Sequence, residues 1–332
     1  MQSTCSNFNG KLDNHYILEN ELVSGDSYKI YKAKDCLTGK IYAAKVFNSC
    51  HSKIDNEIKF NKTVTQSQNT YFQKYISSSE GSVEYNEYKD ENDEFKYIIF
   101  DHCSKGDLYE YIKCTESGLE EKNCKILFHK IVKGIQTLHQ MGISHNNIKA
   151  QNILLDGENF EIKISNLGAS SFTKNVNGKK ILQAKRVGSD VYMAPEIILG
   201  LNHDGEKCDI FSLGVLLFFI MNYKAPFPIA KVIKNKNATL RLYSFIKEKK
   251  NINLYWNYIE KYIITKKLSN EFKNLFIKMV SYNPKERPTI EQVLNDEWFK
   301  DITNLKDEEF KKYEHELISE LKEREEIIKI PK

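Results

Sequence analysis

The apolar positions of the chain change their period near residue 100. Before it they come in strand-length runs: Tyr16-Ile17-Leu18, Leu22, Tyr28-Lys29-Ile30-Tyr31, Ile41-Tyr42-Ala43-Ala44-Lys45-Val46-Phe47 and Phe95-Lys96-Tyr97-Ile98-Ile99-Phe100. Alternation rich in β-branched and aromatic residues reads as half-buried strand. Beyond it the spacing turns helical. Ile126, Leu127, Ile131, Ile135 and Leu138 recur at three and four residues across 123–141, and Gly142 ends the run. A short strand, Ile153-Leu154-Leu155, follows. Residues 210–221 are almost continuously apolar but include Ser212 and Gly214, and are too few to cross a bilayer; they predict a buried helix. Phe272, Leu275, Phe276 and Met279 form one more apolar helix face.

The pattern predicts an α+β chain: a flexible terminus at 1–14, a β-rich part at 15–101 and a helical part at 102–300. From residue 301 the composition turns charged. Phe310, Tyr313, Leu317 and Leu321 keep a helical period, and Glu320 and Arg324 sit four apart as a stabilising pair. This predicts an amphipathic helix over 301–332, too short for a coiled coil and expected to pack on the helices before it. Residues 62–94 are polar, with an acidic patch at 84–94, and read as a solvated loop; the lysine-rich stretch 231–250 reads as solvated surface.

Composition narrows the function classes. The 332 residues are 28% charged and 41% hydrophobic, an ordinary soluble balance, and enough chain for two packed lobes. A net charge of +4, spread along the chain, is no footprint for nucleic acid. Seven irregularly spaced cysteines without a Cys-x-x-Cys predict reduced thiols and a cytoplasmic location. The polar start predicts no signal peptide, and no membrane association is expected.

Candidate chemistry sits in a few short motifs. Lys45 lies in an apolar strand, where an unpaired charge is costly, so it needs a carboxylate; Glu57 is the candidate. His145-Asn146-Asn147-Ile148-Lys149-Ala150-Gln151-Asn152 precedes the short strand, and Ser165-Asn166-Leu167-Gly168 follows it. Alone, such asparagines read as turn residues. Three later motifs argue otherwise: Val187 through Ala194-Pro195-Glu196, Asp209-Ile210-Phe211-Ser212-Leu213-Gly214, and Pro284-Lys285-Glu286-Arg287-Pro288-Thr289. In this order they resemble the protein kinase superfamily, serine/threonine type, over residues 15–300. The family patterns H-R-D-x-x-x-x-N and D-F-G stand here with both aspartates replaced by asparagine.

The resemblance implies a two-lobed kinase fold, with a small β-rich N-lobe at 15–101 and a larger helical C-lobe with its hinge at 102–300. It implies a nucleotide site using Leu22, Gly25 and Ile30 of a glycine-rich loop, Ala43, the Lys45–Glu57 pair, Asp101 and Cys103 of the hinge, and Leu154. Phe100 would back that site. Val23 and Tyr28 occupy the outer glycine positions, which should cradle phosphates poorly. Asn61 falls where the family puts an apolar residue. Lys149 and Asn152 match catalytic positions. Asn147 stands at the base position, and Asn152 with Asn166 at the metal positions. Asn146 replaces the arginine that reads an activation-segment phosphate. His145, Glu196, Asp209 and Arg287 take structural roles, with Glu196 and Arg287 as a buried ion pair and Asp209 capping the catalytic loop. Ser170, Ser171, Thr173 and Ser189 are hydroxyls in the activation segment, the first three read as plain solvated loop.

A neutral amide neither accepts a proton at neutral pH nor holds magnesium as a carboxylate does. The expectation is therefore a pseudokinase, a scaffold or allosteric regulator whose partner is another kinase or signalling protein. ATP binding is expected to be weak and largely metal-independent, with no firm magnesium site. Two rivals stay open: an active serine/threonine kinase using substitute groups, and an interaction module that binds no nucleotide.

Overall fold

Period-two alternation on both faces builds the first part of the chain. In this computed structural model, which describes residues 11–25, 27–48, 54–79, 95–231 and 238–330, the chain divides into two units, 1–104 and 105–332. The first holds strands β1 (Lys11–Leu12), β2 (Tyr16–Ser24), β3 (Tyr28–Asp35) and β4 (Ile41–Asn48), helix α1 (Ile54–Gln66), then β5 (Tyr75–Ser78) and β6 (Phe95–Asp101). They form one antiparallel sheet in the order β1-β2-β3-β4-β6-β5. One face buries Leu18, Tyr31, Ala33, Ala44, Val46, Tyr97 and Ile99. The other packs Ala43, Phe47, Ile98 and Phe100 with Ile54 of α1, and carries the partly buried Tyr28, Ile30 and Ile58. Because side chains alternate, Lys45 falls on the α1 face, between Ala43 and Phe47.

Two expectations for this unit are corrected. Residues 11–14 are not a loose terminus. Lys11 and Leu12 pair with Ile17 and Tyr16, Leu12 is fully buried, and Asp13 and Asn14 turn the hairpin at φ 48° and 55°. A single apolar residue sufficed because β2 supplied its pairing partner. The polar stretch 62–94 is not one loop. Residues 62–66 finish α1, Phe72 is buried and β5 is the sheet edge. The acidic patch lies outside the described residues.

The second unit begins with α2 (Leu108–Lys113), α3 (Glu121–Gln140) and β7 (Ile143–Ser144), then the pair β8 (Ile153–Asp156) and β9 (Glu161–Ile164), and β10 (Ser171–Phe172), which pairs with β7. Then come α4 (Pro195–Ile198), α5 (Gly205–Asn222), α6 (Ala238–Lys247), α7 (Ile252–Tyr262), α8 (Asn270–Met279), α9 (Ile290–Leu294), α10 (Lys300–Thr303) and α11 (Asp307–Lys329). Helix α5, buried along most of its length, is the axis of this unit, with α3 and α8 packed on it. Gly214 permits the α8 crossing, since a Cβ there would stand 2.9 Å from side-chain atoms of both Met279 and Val280. Gly142, at φ +69°, ends α3 as the sequence predicts.

Helix α11 packs on α2 and α3, and the Glu320–Arg324 pair closes at 2.7 Å. The stretch 231–250 departs from its expectation: α6 buries Leu242, Tyr243 and Ile246, while 232–237 lie outside the described residues. Three apolar residues at helical spacing were masked by the lysines around them. Among the described residues, no helix is long and apolar enough to cross a membrane. Among the described residues, Cys36, Cys124 and Cys208 are in no disulfide.

Candidate functional site

In the first unit the site is built on β4 and α1. Lys45 Nζ donates to Glu57 Oε1 at 2.7 Å and Oε2 at 2.8 Å, with both side chains buried. Burial makes this pair exacting, because a lone buried charge of either sign is costly. Asn61, one turn beyond Glu57, is also buried. Its Nδ2 donates back to the Glu57 carbonyl at 2.8 Å, so the polar residue at an apolar position is satisfied inside its own helix. The Lys45 ammonium lies 4.0 Å from the centre of the Tyr28 ring and 5.1 Å from that of Phe47. Ala43 and Phe100 are buried, and Leu22 and Val23 are exposed. Gly25 does not adopt a positive φ; its N–H closes the β2–β3 turn onto the Tyr28 carbonyl at 3.0 Å. Asp101 pairs with Lys40 at 3.0 Å, and Cys103 is half-buried.

In the second unit the organising group is Asp209, on buried α5. Its carboxylate accepts the backbone N–H groups of His145 and Asn146, each at 2.8 Å, and sits 3.0 Å from His139 Nε2. A buried carboxylate with these donors holds the loop between β7 and β8 in one shape. That shape includes Asn146 at φ +62°, a conformation asparagine tolerates. His145 is fully buried, and burial holds its pKa below the ordinary value. Its Nε2 meets the Ser165 carbonyl at 3.1 Å, so Nε2 carries the proton, and Nδ1 accepts the Asn147 N–H at 3.1 Å. One neutral imidazole thus ties the 145–152 loop to the strand end before Asn166.

The asparagine amides bond to the loop's own backbone and, in one case, to each other. Asn152 Nδ2 donates to the Asn147 carbonyl at 2.6 Å, and Asn166 Nδ2 donates to Asn152 Oδ1 at 3.2 Å. Asn166 sits at φ +65°. Asn146 Nδ2 reaches the Ala169 carbonyl at 2.9 Å and Ser171 Oγ at 3.2 Å. Lys149 is half-buried, and desolvation lowers its pKa. Leu154 pairs with Asp107 by an isolated bridge. The following segment is fastened at several points. Thr173 Oγ1 donates to Glu206 at 2.7 Å, Lys180 pairs with Asp204, and Gln183 bridges to His203. Ser170 and Thr173 are therefore buried, against the expectation of a solvated loop, while Ser189 is half-exposed. At the segment's end, Arg287 meets both Glu196 oxygens at 2.6 and 2.7 Å.

The family model for the protein kinase domain matches residues 16–299. The chain belongs to the protein kinase family. It has the family's fold, a β-sheet N-lobe and a helical C-lobe. Among its relatives it is 36% identical over 207 residues to the serine/threonine-protein kinase kin-29 of Caenorhabditis elegans. It is 31% identical over 206 residues to the SNF-related serine/threonine-protein kinase of Homo sapiens. Each match covers 62% of this chain but only 22% and 24% of those relatives. The matched stretch thus spans under a quarter of the length of either.

Kinases bind ATP, typically with magnesium, and the residues here can be tested against both. Where the resemblance would put the metal ligands, Asn152 and Asn166 offer two carboxamides joined by their own hydrogen bond. Magnesium favours anionic oxygen in near-octahedral geometry, so these residues do not fit it. Among the described residues, no cluster of three or more His, Cys, Asp or Glu forms a metal site elsewhere. In the N-lobe, Lys45 is paired with Glu57, and its ammonium also faces the Tyr28 and Phe47 rings.

Sequence reasoning missed two polar residues of this kinase C-lobe. His139 contacts Asp209 from α3, and its one signal was a histidine beside the apolar Leu138. Asp107 caps α2 through the Glu110 N–H, and burial pushes its pKa up to about 6 despite that bond and the Lys149 charge. Because the folded value lies above the unfolded one near 3.8, Asp107 favours folding most below pH 4. That contribution is lost as pH rises through 6. Wild type should lose on the order of 1 kcal/mol through this group between pH 5 and pH 8. Asp107→Asn keeps the cap and should lack that slope. Urea unfolding of both proteins at the two pH values checks it; parallel slopes would refute the assignment.

Proposed function

We propose that this chain is a pseudokinase: a scaffold or allosteric regulator of another kinase or signalling protein that binds nucleotide weakly and largely without metal. One observation carries the reading. Asn147 and Asn166 stand where phosphoryl transfer uses a base and a magnesium carboxylate, and the Asn166 amide is engaged by Asn152. Losing a general base alone costs about 10² to 10⁴ in rate. The groups that maintain architecture are kept: Lys45 with Glu57, Asp209 under the loop, and Glu196 with Arg287. Such a protein acts by shape, and its partners are proteins. A cytoplasmic location fits its free thiols.

The test is incubation of the purified chain with labelled ATP, magnesium or manganese, and generic protein substrates. Transfer should not exceed that of Lys45→Met. Robust transfer that disappears in Lys45→Met overturns the proposal in favour of an active serine/threonine kinase, the activity its relatives' names carry. That rival is favoured by the intact Lys45–Glu57 pair, since loose phosphoryl transition states depend chiefly on positioning and charge.

A further inference from the structure

We propose that Tyr28 is a built-in cover on the phosphate-binding lysine, so that this protein takes nucleosides and nucleoside triphosphates with the same affinity. The inference rests on the proposed function only in taking Lys45 as the group that would meet phosphate.

The geometry follows from strand register. In the antiparallel pair β3–β4, Tyr28 stands opposite Phe47 and Ile30 opposite Lys45. Directly opposed residues project to one face, so Tyr28, Ile30, Lys45 and Phe47 share the face that α1 covers. The Gly25-to-Tyr28 hydrogen bond fixes where that register begins. The Tyr28 ring then comes to lie over the ammonium, 4.0 Å from its nitrogen, while Glu57 takes it from the other side with both oxygens. Lys45 is left 3% exposed.

The chemistry of the enclosure is specific. An ammonium has three N–H donors and attracts an aromatic face when desolvated. Burial and the neighbouring Glu57 both raise the Tyr28 pKa, so the phenol stays neutral and the ring offers only its quadrupole. Glu57 cancels the lysine's charge at contact distance. A phosphate oxygen reaching Nζ must first displace the ring, and loses one stabilising partner of the cation for each it gains. Triphosphate therefore adds little to binding. A glycine at this position, as in the family pattern, has no side chain to lay over the lysine. Val23 is no equivalent cover, since it is exposed and no contact ties it to Lys45 among those observed.

The experiment is calorimetric titration of the full chain with adenosine and with ATP, both in EDTA. Wild type should bind the two within about threefold. Tyr28→Ala and Tyr28→Gly should each bind ATP about tenfold more tightly while adenosine is unchanged, the size expected for releasing a desolvated cation–π contact. Tyr28→Phe keeps the ring and should behave as wild type. Lys45→Met in the Tyr28→Ala background should erase the gain. A wild type that prefers ATP tenfold overturns the proposal without any variant. So does an unchanged ratio in a Tyr28→Ala or Tyr28→Gly protein that melts cooperatively, and so does a flat response to ATP in all three. Phosphotransfer by a wild type with the level ratio would sink only the proposed function. An inactive wild type that prefers ATP would sink only the role of Tyr28.

Discussion

Arg287→Ala is expected to destabilise residues 105–332 by about 3–5 kcal/mol, the usual cost of removing one partner of a buried ion pair. For a unit of this size that corresponds to a melting temperature roughly 10 °C lower. The guanidinium is fully buried and every one of its nitrogens is used. Nη1 and Nη2 meet the two Glu196 oxygens, Nη1 also donates to the Lys207 carbonyl at 3.0 Å, and Nε to the Ser281 carbonyl at 2.8 Å. Its plane lies 5.0 Å from the Phe211 ring centre. Truncation strands Glu196, whose other close neighbour is the Cys208 thiol, a weak donor. Arg287→Lys should recover little, because one ammonium cannot reproduce a planar fork. Glu196→Gln/Arg287→Met should cost less than Arg287→Ala, since no buried charge is left alone. Thermal denaturation of the three variants decides it. A shift under 2 °C for Arg287→Ala would mean that the pair is not what holds the segment end in place.

Arg324→Ala should cost about 2–4 kcal/mol and release helix α11. Arg324 is buried, and it donates to the carbonyls of Tyr111 at 3.0 Å, Ser117 at 3.2 Å and Gly118 at 3.0 Å, to Thr115 Oγ1 at 2.8 Å, and to Glu320 at 2.7 Å. These carbonyls belong to the last turn of α2 and the loop after it, which have no intrahelical donors of their own. A cation there also answers the negative end of the α2 dipole. The flanking contacts, Lys105–Glu325 at 3.1 Å and Lys130–Glu314 at 2.8 Å, are more exposed and worth less. Hydrogen exchange across 307–329 reads the result directly. Loss of protection confined to that helix is expected; unchanged protection would show that apolar Leu317 and Leu321 suffice to hold it.

Arg324 also shows where sequence reading stops. Its bond to Glu320 was legible because an i,i+4 pair needs only a helix. Its bonds to residues more than 200 positions earlier depend on how α11 lies against α2, and no local pattern encodes that. Tyr28 is a second case. The resemblance implies that it stands at a glycine position, but a ring can turn to solvent or to the sheet. Only the register with Phe47 and the approach of α1 put it over Lys45. Asn61 is a third: an apolar position held by an amide, resolved by a hydrogen bond within its own helix.

By itself the sequence determined the strand and helix periods, the family and the absence of carboxylates at residues 147 and 166. Each is a property of residue identity and spacing. Tertiary structure alone decided that Leu12 is a strand residue, that Ser170 and Thr173 are buried, that the Asn166 amide bonds to Asn152, and that Lys45 is covered. Those outcomes depend on which surfaces meet. Burial and hydrogen-bond partnership arise between segments far apart in the chain, where the free energy of a contact is set by its surroundings and not by its neighbours in sequence.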